Sequence, residues 1–159
     1  AGKVCNKLAC TIDLLPTFAA ITGGPLSDNK IDGVDITPLL MGDFDSTPRE
    51  TILYYYGRNN LNGDRKGNRK LVLPHTYSSY DTRPGNDGYS GKRITMTVDT
   101  PELYNMMRDP GEQYNVIEYY PDKVAELMQV VEEARTALGD LNAGMEKGTE
   151  NREIGRLEE

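Results

Sequence analysis

His75 is the only histidine in the chain, and it directly follows a proline at the mouth of a polar stretch. Histidine changes charge near neutrality, so His75 reads in two ways: a hydrogen-bond donor or cation at the edge of a site, or a histidine that only packs or sits at the surface. Arg58, Arg65, Lys66, Arg69, Lys70, Arg83, Lys92 and Arg93 fall in the same sheet-and-loop stretch of the chain. Together they could make a positive patch for an anionic substrate, although eight basic residues also suit a solvated sheet face. Tyr54, Tyr55 and Tyr56 are consecutive. On a strand they alternate sides, so at least one packs in a core, and stacking on a sugar ring is the sharper reading of the others.

Other chemistries lack their residues. One histidine and no telling spacing give no Ser-His-Asp arrangement, and neither glycine-rich phosphate loop is present. Asp28, Asp32 and Asp35 lack the glycine and terminal glutamate of a calcium-binding hand, and Asp81, Asp87 and Asp99 are scattered. Cys5 and Cys10 are too close for a comfortable bridge and fall on opposite faces of an extended segment, so two free, part-buried thiols are expected. Zinc would need more Cys or His than the chain holds. A net charge of −7 argues against binding nucleic acid or an anionic membrane surface. No apolar run is long enough to span a membrane. The chain begins with Ala, which reads as a processed or truncated end.

The elements that must position these residues follow from periodicity. Residues 3–10 suit a short strand or an extended lead-in. Thr11 as N-cap, Asp13 in the first turn, and Ile12, Leu15, Ala19 and Ala20 at helical spacing predict a helix over 11–22, stopped by Gly23 and Gly24. A helical turn is expected within 35–43. Strands are expected at Thr51–Tyr56, Lys70–Leu73, Ile94–Val98 and Leu103–Met106. Asn62-Gly63 signals a hairpin turn, and residues 74–92 read as a long polar loop. Asp109-Pro110-Gly111 is a turn in which glycine would take the positive φ. Pro121 starts a helix over 121–138 with an apolar stripe of Val124, Leu127, Met128, Val131 and Leu138. The expected fold class is α+β: a small antiparallel sheet of about four strands packed against a C-terminal amphipathic helix, with a helical segment before it. The expected divisions are 1–45, 46–139 and a charged tail over 140–159.

Three stretches, in this order, resemble the C-terminal part of a sulfatase of the arylsulfatase type, in the alkaline-phosphatase superfamily. The first is Thr11 to Phe18 with Gly23 and then Asp32 to Leu40, similar to D-L-x-P-T … G … D-G-x-x-x-x-P-L-L. The second is Pro48-Arg49-Glu50 leading into the tyrosines, with Arg65-Lys66-Gly67 and Lys70-Leu71. The third is Leu103 to Asn115, similar to L-Y-D-L-x-x-D-P-x-E-x-x-N. Two departures stand out. Arg69 occupies the position where the family usually has Trp, and the usually apolar positions before it are Asn62-Gly63-Asp64.

The resemblance implies that this chain is a fragment. The parent would hydrolyse sulfate esters, those of sulfated carbohydrates in particular, using calcium and a formylglycine that lie upstream in the family. Residues 1–45 would be the end of the largely absent N-terminal catalytic domain, which would be this chain's partner, and the chain alone would be inactive. His75, in Pro74-His75-Thr76-Tyr77, resembles a loop near the substrate opening of some sulfatases, which implies a substrate-binding role. Asp109, Glu112 and Asn115 would fix a turn that holds the last strand against the helix. A periplasmic or secreted parent is implied. The alternatives are a non-catalytic interaction or anionic-glycan-binding module, and a fragment of a related phosphate-ester hydrolase.

Overall fold

The computed structural model describes residues 2–26, 28–81, 88 and 91–150, and it divides into two compact units, Ala1–Ile52 and Leu53–Glu159. In the first unit, residues 3–10 form no strand. Thr11–Asp13 makes one tight turn that runs into α1 (Leu14–Thr22), and α2 (Thr37–Leu40) is a single turn.

The residue that shapes this unit is Asp13, which lies in the first turn as expected and does more there than complement a helix dipole. Its carboxylate is sealed from water. It accepts hydrogen bonds from the backbone N–H of Cys10 (2.8 Å) and of Val34 (3.0 Å). Arg49 donates to the same carboxylate through Nε (2.8 Å) and through Nη2. The Arg49 hydrogen bonds outweigh the cost of burial and, with the two backbone donors, hold the Asp13 carboxyl down to about 2. Thr17 extends the lock: its hydroxyl donates to the Asp13 carbonyl at 2.6 Å and accepts from the Ile36 N–H at 3.0 Å. Gly33 completes it, because a Cβ there would collide with the Ile12 carbonyl.

The buried face of the first helix is therefore Asp13, Pro16 and Thr17, an i, i+3, i+4 set. Of the apolar residues expected inside, Ile12, Leu15 and Ala20 are exposed and Ala19 is only part-buried, and Phe18 and Ile21 are about half exposed as well. The polar lock, rather than the apolar stripe, decides the rotation of the helix.

In the second unit the expected architecture is found. β1 (Thr51–Tyr56), β2 (Asn60–Lys66), β3 (Arg69–Val72) and β6 (Glu102–Asn105) form a sheet in the order β1-β2-β3-β6. The β2–β3 and β3–β6 pairs are antiparallel, and the β1–β2 link is too short for anything else. β4 (His75–Tyr80) and β5 (Arg93–Val98) form a separate antiparallel ribbon. Two expectations change here. The strand at 94–98 leaves the main sheet, and the start of the predicted 74–92 loop is its partner β4. Residues 82–87, 89 and 90, within the predicted loop, lie outside the described residues. Asn62-Gly63 is also not a turn. It lies inside β2, where Leu73 N–H donates to the Asn62 carbonyl (2.9 Å) and Gly63 pairs with Val72. A Cβ on Gly63 would strike the Leu71 carbonyl, so this glycine serves close strand approach.

The core is a leucine layer between the sheet and α3 (Pro121–Leu138). Leu61, Leu71, Leu73 and Leu103 meet Leu127, Val131 and Ala134, with Leu53, Tyr55, Val124 and Met128 packed around them. Each fully buried leucine contributes about 1.5–3 kcal/mol. The Tyr55 hydroxyl donates to the Gly139 carbonyl (2.8 Å), tying β1 to the end of the helix.

The link from β6 to α3 is fixed by side chains. Asn115 Oδ1 accepts from the N–H groups of Leu103 and Ile117, both at 3.0 Å, and Asp109 accepts from those of Gln113 and Tyr114. The positive φ expected at Gly111 falls instead on Glu112 (54°), whose carboxylate holds Lys70 Nζ at 2.6 Å, a contact glycine could not make.

Residues 140–150 start the stretch whose composition reads as a charged tail, yet they lie against the unit. Asp140 is fully buried. Its carboxylate accepts from Leu61 N–H (3.0 Å), Asn142 N–H (3.0 Å) and Arg135 Nε (3.0 Å). Thr149 and Glu150 N–H groups donate to the carbonyls of Thr136 and Ala137. Residues 151–159 lie outside the described residues.

Two outcomes follow. Leu103→Ala should destabilise the second unit by about 2–5 kcal/mol in urea unfolding. Arg49→Ala should cost the first unit about 3–5 kcal/mol, because it leaves a buried charge alone. The depressed Asp13 carboxyl stabilises this unit fully above its unfolded value near 4, and that stability is lost as pH falls through about 2. Amide exchange across Leu14–Thr22 would read both effects on the first unit, and unchanged protection in Arg49→Ala would refute the lock.

Candidate functional site

Pro74 cannot continue the ladder of β3, so the chain turns there and His75 opens β4. In the ribbon His75 faces Val98, Tyr77 faces Met96 and Ser79 faces Ile94. Side chains alternate along a strand, so these six share one face. Thr76, Ser78 and Tyr80 lie on the other, with Thr97, Thr95 and Arg93. The first face is the candidate site: a mostly apolar strip with Tyr77 and Met96 each about two-fifths exposed at its centre.

His75 is held in place on this strip. Its Nδ1 lies 2.7 Å from the Leu73 carbonyl, which can only accept, so Nδ1 carries a proton and Nε2 is the edge left to meet a ligand. Its ring lies 5.8 Å from that of Tyr77, tilted by 41°. A neutral His75 can accept a hydrogen bond at Nε2, and a protonated one can donate to or pair with an anionic group. Tyr77 offers a ring face beside it for an apolar or sugar-like surface.

The basic residues do not gather here. Arg65 pairs with Lys70 across the ladder and Lys66 with Arg69, so these two pairs leave opposite faces of the sheet. Lys66 bonds Glu126 at 3.0 Å, and Lys70 bonds Glu112 and lies over the Tyr54 ring at 4.8 Å. Arg69, in the place of the family's usual Trp, stacks its guanidinium 4.1 Å from the Tyr120 ring centre. Arg83 lies outside the described residues. Four of the expected basic residues are thus divided between two faces, and two of these, Lys66 and Lys70, are paired with carboxylates. Among the three tyrosines, Tyr55 is in the core, Tyr54 lies beneath Lys70 and Tyr56 is exposed.

Among the described residues no three His, Cys, Asp or Glu side chains converge as a metal site. Asp35 accepts from the Thr37 N–H at 2.8 Å in a local turn. Cys5 is exposed and Cys10 half-buried, both unbridged. The sequence singled out His75 but not Tyr77 or Met96. The alternation in His75 to Tyr80, rich in Tyr and Thr, was the available signal for a strand. The Tyr77–Met96 pairing depends on a register no local pattern carries.

The sequence profile described as the C-terminal region of aryl-sulfatase matches residues 47–155. Arylsulfatase A of Homo sapiens is 28% identical over 152 residues, covering 93% of this chain and 30% of that protein. Steryl-sulfatase of Mus musculus is 27% identical over 146 residues, covering 86% and 23%. A solved structure from work on the metabolism of multiple glycosaminoglycans by Bacteroides thetaiotaomicron is 26% identical with a TM-score of 0.54, covering 78% of this chain and 24% of that one. The chain thus spans less than a third of the length of each.

The ring geometry of His75 makes one outcome specific: nitrogen NMR of the neutral chain should show the Nδ1–H tautomer. An Nε2–H majority would mean that the Leu73 carbonyl does not orient the ring.

Proposed function

Since the chain belongs to the family of aryl-sulfatase C-terminal regions, we propose that it is the C-terminal part of a sulfuric ester hydrolase and has no activity by itself. The observation that carries this reading is the family match across 47–155 in a chain that aligns with under a third of arylsulfatase A. The half-exposed apolar residues Ile12, Leu15, Phe18 and Ile21 support it, since an apolar strip of that kind suits burial against further chain. The N-terminal catalytic part of the parent is the partner we assign to it.

In this reading the reaction's nucleophile and calcium belong to the parent's other part. The described carboxylates of this chain do not fit a calcium cage, and no step is assigned to them. The contribution of this chain is to substrate binding. His75 presents Nε2 to an anionic or hydroxyl group of the substrate, held by its Nδ1–H bond to Leu73, while the Tyr77 ring covers an adjacent ring face. That pairing favours a sulfated carbohydrate, and the glycosaminoglycan context of the Bacteroides structure points the same way. The anionic-glycan-binding module loses its support because the basic residues divide between two faces. No helix among the described residues is long and apolar enough to cross a membrane. A periplasmic or secreted parent rests on the family resemblance.

The test compares the isolated chain with its full-length parent on an aryl sulfate and on sulfated oligosaccharides. The parent should hydrolyse both and the isolated chain neither. His75→Ala and Tyr77→Ala in the parent should raise KM for the oligosaccharide about tenfold or more, with little change in aryl sulfate turnover. Hydrolysis by the isolated chain above a heat-killed control, or a parent without sulfatase activity, would overturn the reading. Unchanged oligosaccharide KM would remove the ribbon from the site.

A further inference from the structure

Asp64 lies within β2 with none of its surface open to solvent, and neither carboxylate oxygen has a hydrogen-bond partner. It sits directly opposite Leu71, so the two side chains leave the same face of the sheet, and Leu71 belongs to the leucine layer. The other two fully buried aspartates among the described residues are surrounded by donors: Asp13 by Arg49 and two backbone N–H groups, Asp140 by Arg135 and two backbone N–H groups. Asp64 has no such set.

The charged groups on the elements around it are engaged elsewhere. Lys66, on the same side of β2, bonds Glu126 of α3. Arg69 of β3 covers the Tyr120 ring. Arg135 of α3 bonds Asp140 and Glu132. β1 contributes Leu53 and Tyr55, whose hydroxyl is bonded to Gly139, and β6 contributes Leu103. Burial therefore dominates at Asp64 and pushes its carboxyl up to about 7, opposed only by its own backbone N–H.

We propose that Asp64 is a proton-operated latch: as a neutral acid it packs within the core, and on ionising it loosens the sheet from α3. The neutral form buries a polar group at modest cost, whereas the carboxylate is an unpaired charge in an apolar layer. The folded unit holds this proton more tightly than the unfolded chain. Its stability is therefore fully present below the unfolded value near 4 and is lost as pH rises through about 7. A second unit that is tightest in mildly acidic medium and looser above neutrality is the regulatory consequence. It does not depend on the parent's activity.

Every tyrosine of the chain lies in this unit, so tyrosine fluorescence reports its unfolding separately from the first. Between about pH 5 and pH 8 the unfolding constant of the full chain in urea should rise roughly a hundredfold. In Asp64→Val the rise should shrink to less than about threefold, while His75→Gln, a control for the only histidine, should keep the full rise whatever its absolute stability. Carbon NMR of the unsubstituted chain should show the Asp64 carboxyl titrating above pH 6. A titration in the ordinary carboxylate range, a flat stability profile, or an Asp64→Val chain that keeps the full rise would each overturn the proposal.

Discussion

Seven side chains closed between four strands and one helix, Leu61, Leu71, Leu73, Leu103, Leu127, Val131 and Ala134, carry the second unit. The sheet has too few residues to stand without this layer, because a short antiparallel sheet needs an apolar face against a partner. The polar fastenings arrange themselves around it. Asn115 and Asp109 set the path from β6 to the helix, Tyr55 fastens β1 to the helix end, and Asp140 receives an N–H at the start of β2. The layer explains why one carboxyl inside it, Asp64, is so exposed to the consequences of its charge state.

The two units solve the same problem by opposite means. The second orders its chain by excluding water from leucines. The first has few buried apolar residues and orders itself around a charge, with Asp13 gathering Cys10, Val34 and Arg49 onto one carboxylate. Such a lock is directional where a leucine layer is not, and so it fixes the rotation of α1 against the preference of its apolar residues. Asp13 favours its unit in the ionised form, whereas the latch proposed at Asp64 favours the neutral one, so the two act in opposite directions of pH.

Sequence periodicity was most legible where packing alone decides structure. The α3 stripe, the bounds of β1, the end of β5 and the turn residues Asp109 and Asn115 could be read from local pattern. It was least legible where a distant partner overrides local preference. The outward face of α1 depends on Arg49, thirty-six residues from Asp13. Gly63 reads as a turn residue until β3 lies across it. β4 is polar enough to pass for a loop, and its strand character is complete only when β5 pairs with it. The same limit applies to the candidate site: His75 is visible by its chemistry, whereas Tyr77 and Met96 join it only through ribbon register.

The bond from Leu61 N–H to the Asp140 carboxylate joins residues seventy-nine positions apart. This has a consequence for biosynthesis. A ribosome making the chain produces β2 long before residue 140, and until then the N–H of Leu61 lacks its acceptor and α3 is unfinished. The nascent sheet must wait in an incomplete state, with its leucines uncovered, for a closing residue that arrives late. The strands of this unit are therefore made before both the helix that covers their leucines and the carboxylate that receives the Leu61 N–H.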